Sequence, residues 1–178
     1  MHKVVMAQKV DNQTYFNQNK TKAWINPPIV VAWKFSSAEN LGALLRVCDN
    51  FGVKQVFFVG NEADYKASKI KRNATTSFNK VDWSFVSKEE VWKSIPNKTR
   101  KFAVDTTTES IALNEFDFKE LKNSFCLFFG NETIGLEDEV ITKCDASIHI
   151  PMIGESFSMN VVQSAAVVLF EAASQSVL

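Results

Sequence analysis

The sequence has little that invites disulfide or metal chemistry. Its three cysteines, Cys48, Cys126 and Cys144, are an odd number, lie in apolar segments and form no C-x-x-C pair. They are read as reduced core thiols, not as a disulfide framework. The chain has only two histidines and no His/Cys cluster, so no metal site is expected. No apolar run approaches the roughly 18 residues of a membrane-spanning helix. The N-terminal MHKVVMAQKVDNQTYFNQNK lacks the apolar core of a secretion signal. A cytoplasmic protein with no membrane partner is the expectation. The stretch from Ser36 to Leu41 has no G-x-G-x-x-G series, which removes the main support for a Rossmann-type oxidoreductase. Net charge is also missing, with 20 basic residues against 20 acidic ones. A neutral chain lacks the basic footprint that phosphate binding usually leaves.

The charge is nevertheless uneven. Lys66, Lys69, Lys71 and Arg72 form one cluster, and Glu132, Glu137, Asp138 and Glu139 form another. The basic stretch reads either as a solvated helix face or as a local patch able to hold RNA.

The length of 178 residues fits one domain, and 15 Phe with four Trp supply large side chains for a core. Residues 1–26 are polar and read as an N-terminal arm or short helix, ended by Asn26-Pro27-Pro28. Ile29 to Trp33 reads as a buried parallel strand. Ser36 and Glu39 resemble a capping box for a helix near Asn40 to Phe51. Its apolar face is Leu41, Leu44, Leu45 and Cys48, and Gly52 is its stop. Gln55 to Val59 is the next strand. A short helix over Tyr65 to Arg72 and a polar turn over Asn73 to Asn79 lead to an edge strand, Val81 to Val86. Ser87 to Glu90 is a second capping box, for a helix ended by Pro96. Lys101 to Val104 is a strand, Asp105 to Glu109 a polar loop, and Ile111 to Asn123 irregular with short helical turns. Phe125 to Phe129 is the central strand, Leu136 to Lys143 a short helix and Ser147 to Ile150 the last strand. The final helix runs from about Asn160 to Ser174, with Val161, Ala165, Val168, Leu169 and Ala172 as its buried stripe. The pattern is one α/β domain with a mostly parallel sheet flanked by helices.

Two of these strands end in punctuated loops, Gly130-Asn131-Glu132 after Phe129 and Pro151 to Phe157 after Ile150. In parallel sheets ligands sit outside the carboxyl ends of strands, so these loops are the candidate site. Read by themselves, Gly130 to Glu132 is either a tight turn with a solvated glutamate or a ligand loop. Ser158 and Asn160 are each either a helix N-cap or a site residue. Arg46 is either a surface residue or a functional cation.

GNETIGL (residues 130–136) and IPMIGESFSMNV (residues 150–161) resemble motifs 2 and 3 of the SpoU (TrmH-like) RNA ribose methyltransferases of the SPOUT superfamily. Asn40 to Arg46 resembles motif 1. The three stand in the family's order, and the likeness covers roughly residues 29–173. It implies a C-terminal trefoil knot, S-adenosylmethionine as methyl donor, a homodimer and an RNA substrate. It further implies catalytic roles for Asn40, Arg46, Glu132, Ser158 and Asn160. Cofactor contacts are implied at Phe129, Gly130, Asn131, Ile150, Met152, Gly154 and Met159. The sequence departs from the family pattern at Thr133, where a second glycine is usual, at Glu137, where serine is common, and at Met159, where leucine is usual. Val162 replaces a small polar residue. The implied reaction is methyl transfer to a ribose 2′-hydroxyl, with tRNA favoured over rRNA by the short segment before the first strand. A non-catalytic RNA-binding protein of the same fold is the rival reading.

Overall fold

A computed structural model describes residues 9–18, 23–53, 55–121 and 123–177. Seven strands form a single parallel sheet in the order β3-β2-β1-β6-β4-β7-β5. They are β1 (Ile29–Trp33), β2 (Gln55–Val59), β3 (Asp82–Val86), β4 (Arg100–Val104), β5 (Ile111–Ala112), β6 (Phe125–Phe129) and β7 (Ala146–His149). The helices are α1 (Asn12–Gln18), α2 (Ala38–Asn50), α3 (Ala67–Ala74), α4 (Glu90–Ser94), α5 (Asp138–Thr142) and α6 (Val161–Ser176). Residues 1–8 and 19–22 of the expected arm lie outside the described residues, and α1 accounts for the helical part of it.

Strands β1 and β6 are apolar throughout because both of their faces are covered. On one face Val30, Ala32, Leu127 and Phe129 pack with Leu41, Leu44, Leu45 and Cys48 of α2, Ile70 and Ala74 of α3, and the stripe of α6. On the other, Val31, Trp33, Cys126 and Phe128 pack with Val91 of α4, Ile95 and Val140 of α5. Each such aliphatic or aromatic side chain contributes about 1.5–3 kcal/mol by leaving water. Cys48 and Cys126 are fully buried and all three thiols are free. Burial pushes the Cys144 thiol up to about 12, so it stays protonated and inert.

Several local details differ from the sequence expectation. The N-cap of α2 is Ser37, whose hydroxyl accepts from Asn40 N–H at 3.2 Å. Ser36 turns instead to Glu132, because a carboxylate from a distant loop offers it a stronger, charged acceptor. The second capping box forms as read, with Ser87 N–H donating to Glu90 and Glu90 N–H to the Ser87 hydroxyl. Residues 111–112, read as irregular, pair with β7 as the edge strand β5; two residues are too few to leave a periodic signal. On α6 the buried face includes Val162 and Ala173, while Val161 is only half-buried. Ala165, Val168, Leu169 and Ala172 are buried as expected.

Candidate functional site

The carboxyl ends of β4, β6 and β7 open on a cavity of about 590 Å³, within the range of small-molecule sites. Its lining includes Asp105 and Thr106 after β4, Phe129 to Gly135 after β6, and Ile150, Met152 and Phe157 to Asn160 after β7. It therefore gathers the two punctuated loops into one wall.

The loop after β6 is rigid because each turn of it is tied. Asn131 and Gly135 exchange backbone hydrogen bonds of 3.0 and 2.9 Å. The Asn131 carboxamide oxygen accepts from Thr133 N–H at 2.9 Å, and its amide donates to the Lys34 carbonyl at 2.7 Å. Lys34 sits at φ +53°, a left-handed conformation that costs a side-chain-bearing residue about 1–2 kcal/mol; the bond from Asn131 helps to hold it. Asp105 caps the far end, accepting from Leu136 N–H at 2.7 Å and from Thr106 N–H at 2.8 Å. Gly135 needs its glycine, with φ +69°. Thr133 does not, since it has no positive φ, so the missing second glycine leaves the loop conformation intact. The space beside Gly130 belongs to the loop itself. A Cβ there would collide with Gly135 C and Leu136 N and lie 2.6 Å from the Gly135 carbonyl oxygen.

Glu132 is the hub. One carboxylate oxygen accepts from Ser36 N–H at 2.7 Å and the Ser36 hydroxyl at 2.9 Å. The other accepts from the Asn40 amide at 2.7 Å and from Ser37 N–H at 3.3 Å. Partial burial alone would raise its pKa, but the Ser36 and Asn40 hydrogen bonds outweigh it and hold the carboxyl below its ordinary value. Asn160 extends the network. Its carboxamide oxygen caps α6 by accepting from Val162 and Gln163 N–H, and its amide donates to Asn40 at 3.4 Å. The start of α2, the loop after β6 and the start of α6 thus meet at three side chains.

Of the residues singled out from sequence, Asn40, Glu132 and Asn160 are joined directly. Phe129, Gly130, Asn131, Ile150, Met152, Ser158 and Met159 line the cavity beside Glu132 and Asn160. Gly154 lies off the lining, and a Cβ on it would meet nothing within 4 Å. Arg46 is exposed two turns along α2, also off the lining, with no hydrogen bond or ion pair to a described residue. Sequence reasoning missed Ser36 as a partner of Glu132, and missed Asp105, whose position directly after a strand end was the available signal. It also passed over His149, which lines the cavity with Nδ1 buried and without a hydrogen-bond partner among the described residues. Glu137, the departure from serine, receives Trp33 Nε1–H at 3.0 Å and the Lys34 and Lys88 ammoniums at 2.7 and 3.0 Å. These donors pull its carboxyl down to about 2.

A model of the SpoU rRNA Methylase family matches residues 27–170. The chain belongs to that family. It is 32% identical over 152 residues to a tRNA (guanosine(18)-2'-O)-methyltransferase of Aquifex aeolicus, covering 83% of this chain and 69% of that protein. Among solved structures it resembles one described as giving structural insights into the 2-OH methylation of C/U34 on tRNA. That likeness has a TM-score of 0.74 and 25% identity, covering 84% of this chain and 96% of the other. It also resembles the SpoU methyltransferase AviRb of Streptomyces viridochromogenes in complex with AdoMet, with a TM-score of 0.72 and 25% identity. There it covers 84% of this chain but only 58% of AviRb. The chain spans half the length of a 23S rRNA (uridine(2479)-2'-O)-methyltransferase from the same organism.

The cavity fits the methyl donor of that complex. Phe129, Ile148, Met152 and Met159 offer apolar wall, and Asn131, Ser158 and Asn160 add polar side chains to the lining. Among the described residues no cluster of His, Cys, Asp or Glu is suited to a metal ion, and no helix is long and apolar enough to cross a membrane.

Proposed function

We propose that this chain acts as one domain that transfers a methyl group from S-adenosylmethionine to a ribose 2′-hydroxyl of RNA, with tRNA as its substrate. The observation that carries the reading is the Asn160–Asn40–Glu132 network at the edge of the cavity, where the three family segments converge. The tRNA assignment draws on the Aquifex relative and on the compact tRNA-directed structure that this chain spans almost end to end.

S-adenosylmethionine supplies an electrophilic methyl group on a sulfonium. In that transfer the ribose oxygen would take the methyl carbon as the carbon–sulfur bond breaks, releasing S-adenosylhomocysteine, and the hydroxyl proton would pass to solvent. Such a displacement depends on alignment. Glu132 serves alignment and not proton removal, because its oxygens already receive four donors and its carboxyl is held ionised. It fixes Asn40 and, through Ser36 and Ser37, the loop before α2. Asn160 fixes the start of α6 and with it the loop carrying Ser158 and Met159. Arg46 is a cation of the first family segment with no ion pair to a described residue. Arginine keeps its proton in proteins, so its role is to stabilise the phosphate and the developing alkoxide charge. Phe129, Gly130, Asn131, Ile150, Met152, Gly154 and Met159 are the proposed contacts of the donor; for Gly130 and Asn131 that contact is made through the shape of the loop they hold.

The active form in this reading is a homodimer. Val167 and Phe170 are exposed apolar residues on α6, and Phe170 stacks edge-on against Phe51 at the end of α2, which gives a face for a second copy. The knotted path belongs to the same reading, supported by β7 lying between β4 and β5 with α6 returning onto α2.

The reading is tested with Arg46→Ala. Calorimetry is expected to give unchanged S-adenosylmethionine affinity, with methyl transfer lost by a factor of about 10²–10³ or more. Full transfer activity in this variant would remove Arg46 from the mechanism.

A further inference from the structure

Between Asp64 and Asp82 the chain carries Lys66, Lys69, Lys71, Arg72 and Lys80 and no acidic residue. This segment is the larger part of the crossover from β2 to β3, whose first residues include Glu62 and Asp64. It leaves the carboxyl end of β2, the edge of the sheet on which the cavity opens, and descends as α3 alongside α2. Only Ile70 and Ala74 of α3 are buried; Lys69, Lys71 and Arg72 on the helix and Lys66 at its N-cap are exposed. The upper end of the helix is anchored to the catalytic corner by two contacts. The Tyr65 hydroxyl donates to the Phe35 carbonyl, in the loop that leads into α2. Lys69 pairs with Glu39 at 2.8 Å, one residue from Asn40. Tyr65 also feels the Glu132 charge, which adds to burial in raising its pKa. Further down, Gly42 lets α2 and α3 touch: a Cβ there would collide with the Ile70 carbonyl and lie 2.7 Å from Asn73 Cβ. One turn beyond Gly42, on the same side of α2, stands Arg46.

We propose that the exposed cations of α3, Lys66, Lys71 and Arg72, form a phosphate track that continues from Arg46 and the catalytic corner and holds the RNA backbone flanking the target nucleotide. The proposal rests on the RNA methyltransferase reading and deepens it. A neutral chain can bind a polyanion when its cations are segregated, and here one crossover holds five of the 20 basic residues, all of them after its two acids, Glu62 and Asp64. The acidic cluster, Glu137 to Glu139, lies at α5 on the opposite face of the sheet. Lys69 is spent on Glu39 and fixes the track in place. Lys66, at the N-cap of α3, and Arg72, in its last turn, form no ion pair with a described residue and lie about 9 Å apart along the axis. That is of the order of one to two phosphate spacings along a nucleic-acid strand.

The test uses the full chain carrying Lys66→Gln and Arg72→Gln, with Lys93→Gln and Lys98→Gln, next to α4 on the other face, as the control pair. RNA affinity is read by fluorescence anisotropy with bulk tRNA at several salt concentrations, methyl transfer by labelled donor, and donor affinity by calorimetry. The α3 variant is expected to raise KM for RNA about tenfold or more. The slope of log K against log salt should fall by roughly 0.7–0.9 per lost contact, with kcat and donor affinity held. The control pair is expected to match wild type. Wild-type KM and salt slope in the α3 variant, with methyl transfer intact, would overturn the track while leaving the functional reading standing. No RNA binding and no transfer by the wild-type protein would overturn both.

Discussion

At Glu132 a single carboxylate receives Ser36, Ser37 and Asn40 together, so a change of one atom there is diagnostic. Glu132→Gln keeps the volume but replaces one acceptor oxygen with a donor facing other donors. It is expected to cost about 1–3 kcal/mol, a drop in Tm of roughly 3–10 °C for a chain of this size, and to reduce methyl transfer more than donor binding. A thermal melt and a calorimetric titration on the same preparation check both halves; an unchanged melt would mean that the clamp is dispensable. Glu137 gives a pH-dependent counterpart. Its carboxyl is drawn down to about 2 by Lys34, Lys88 and Trp33. A depressed carboxylate stabilises the fold above its unfolded value of 4.5 and loses that contribution as pH falls toward 2. Wild type is therefore expected to exceed Glu137→Gln in stability at neutral pH. For a pair about one-third exposed the gap should be on the order of 0.2–1 kcal/mol. The two proteins should converge between about pH 4.5 and 2 in urea titrations. A gap that persisted at the acid end would rule out the ion cluster as its source.

Among the elements, the α2–α3 crossing is the least forgiving. Gly42→Ala would gain about 1 kcal/mol of helix propensity, yet its Cβ meets the Ile70 carbonyl and Ala74 N, backbone atoms that cannot swing aside. Overpacking of about 1–3 kcal/mol outweighs the gain, so urea denaturation is expected to show a less stable protein; equal or greater stability would mean that the helices separate freely. The elements themselves were legible where the physics is local. β1, β2 and β6 match their expected bounds because continuous apolar runs between turn residues leave few alternatives. The stripe Leu41, Leu44, Leu45 and Cys48 was readable from 3.6-residue spacing. The cap of α2 was misplaced by one residue because Ser36 and Ser37 are equivalent locally, and the choice is made by Glu132, 96 residues from Ser36. β5 was missed for a related reason, its pairing being supplied entirely by β7. In the site, the motif loops were legible and Asp105 carried the signal of a strand end, while the pairing of Ser36 with Glu132 emerges only when β1 and β6 are brought side by side.

On the scale of the whole molecule, the parallel sheet gathers the loops after β4, β6 and β7 at one edge and places the starts of α2 and α6 against them. In the proposed reading, a neutral chain with one basic crossover serves an RNA substrate without a basic surface overall. RNA ribose methylation is the proposed activity, and a labelling experiment decides it. The purified chain is incubated with bulk tRNA and methyl-labelled S-adenosylmethionine, and the RNA is digested to nucleosides. The account predicts label in a 2′-O-methylated nucleoside, absent when Arg46→Ala replaces wild type. Label confined to base-methylated nucleosides, or no label with tRNA and rRNA alike from a protein that binds RNA but not the donor, would contradict it.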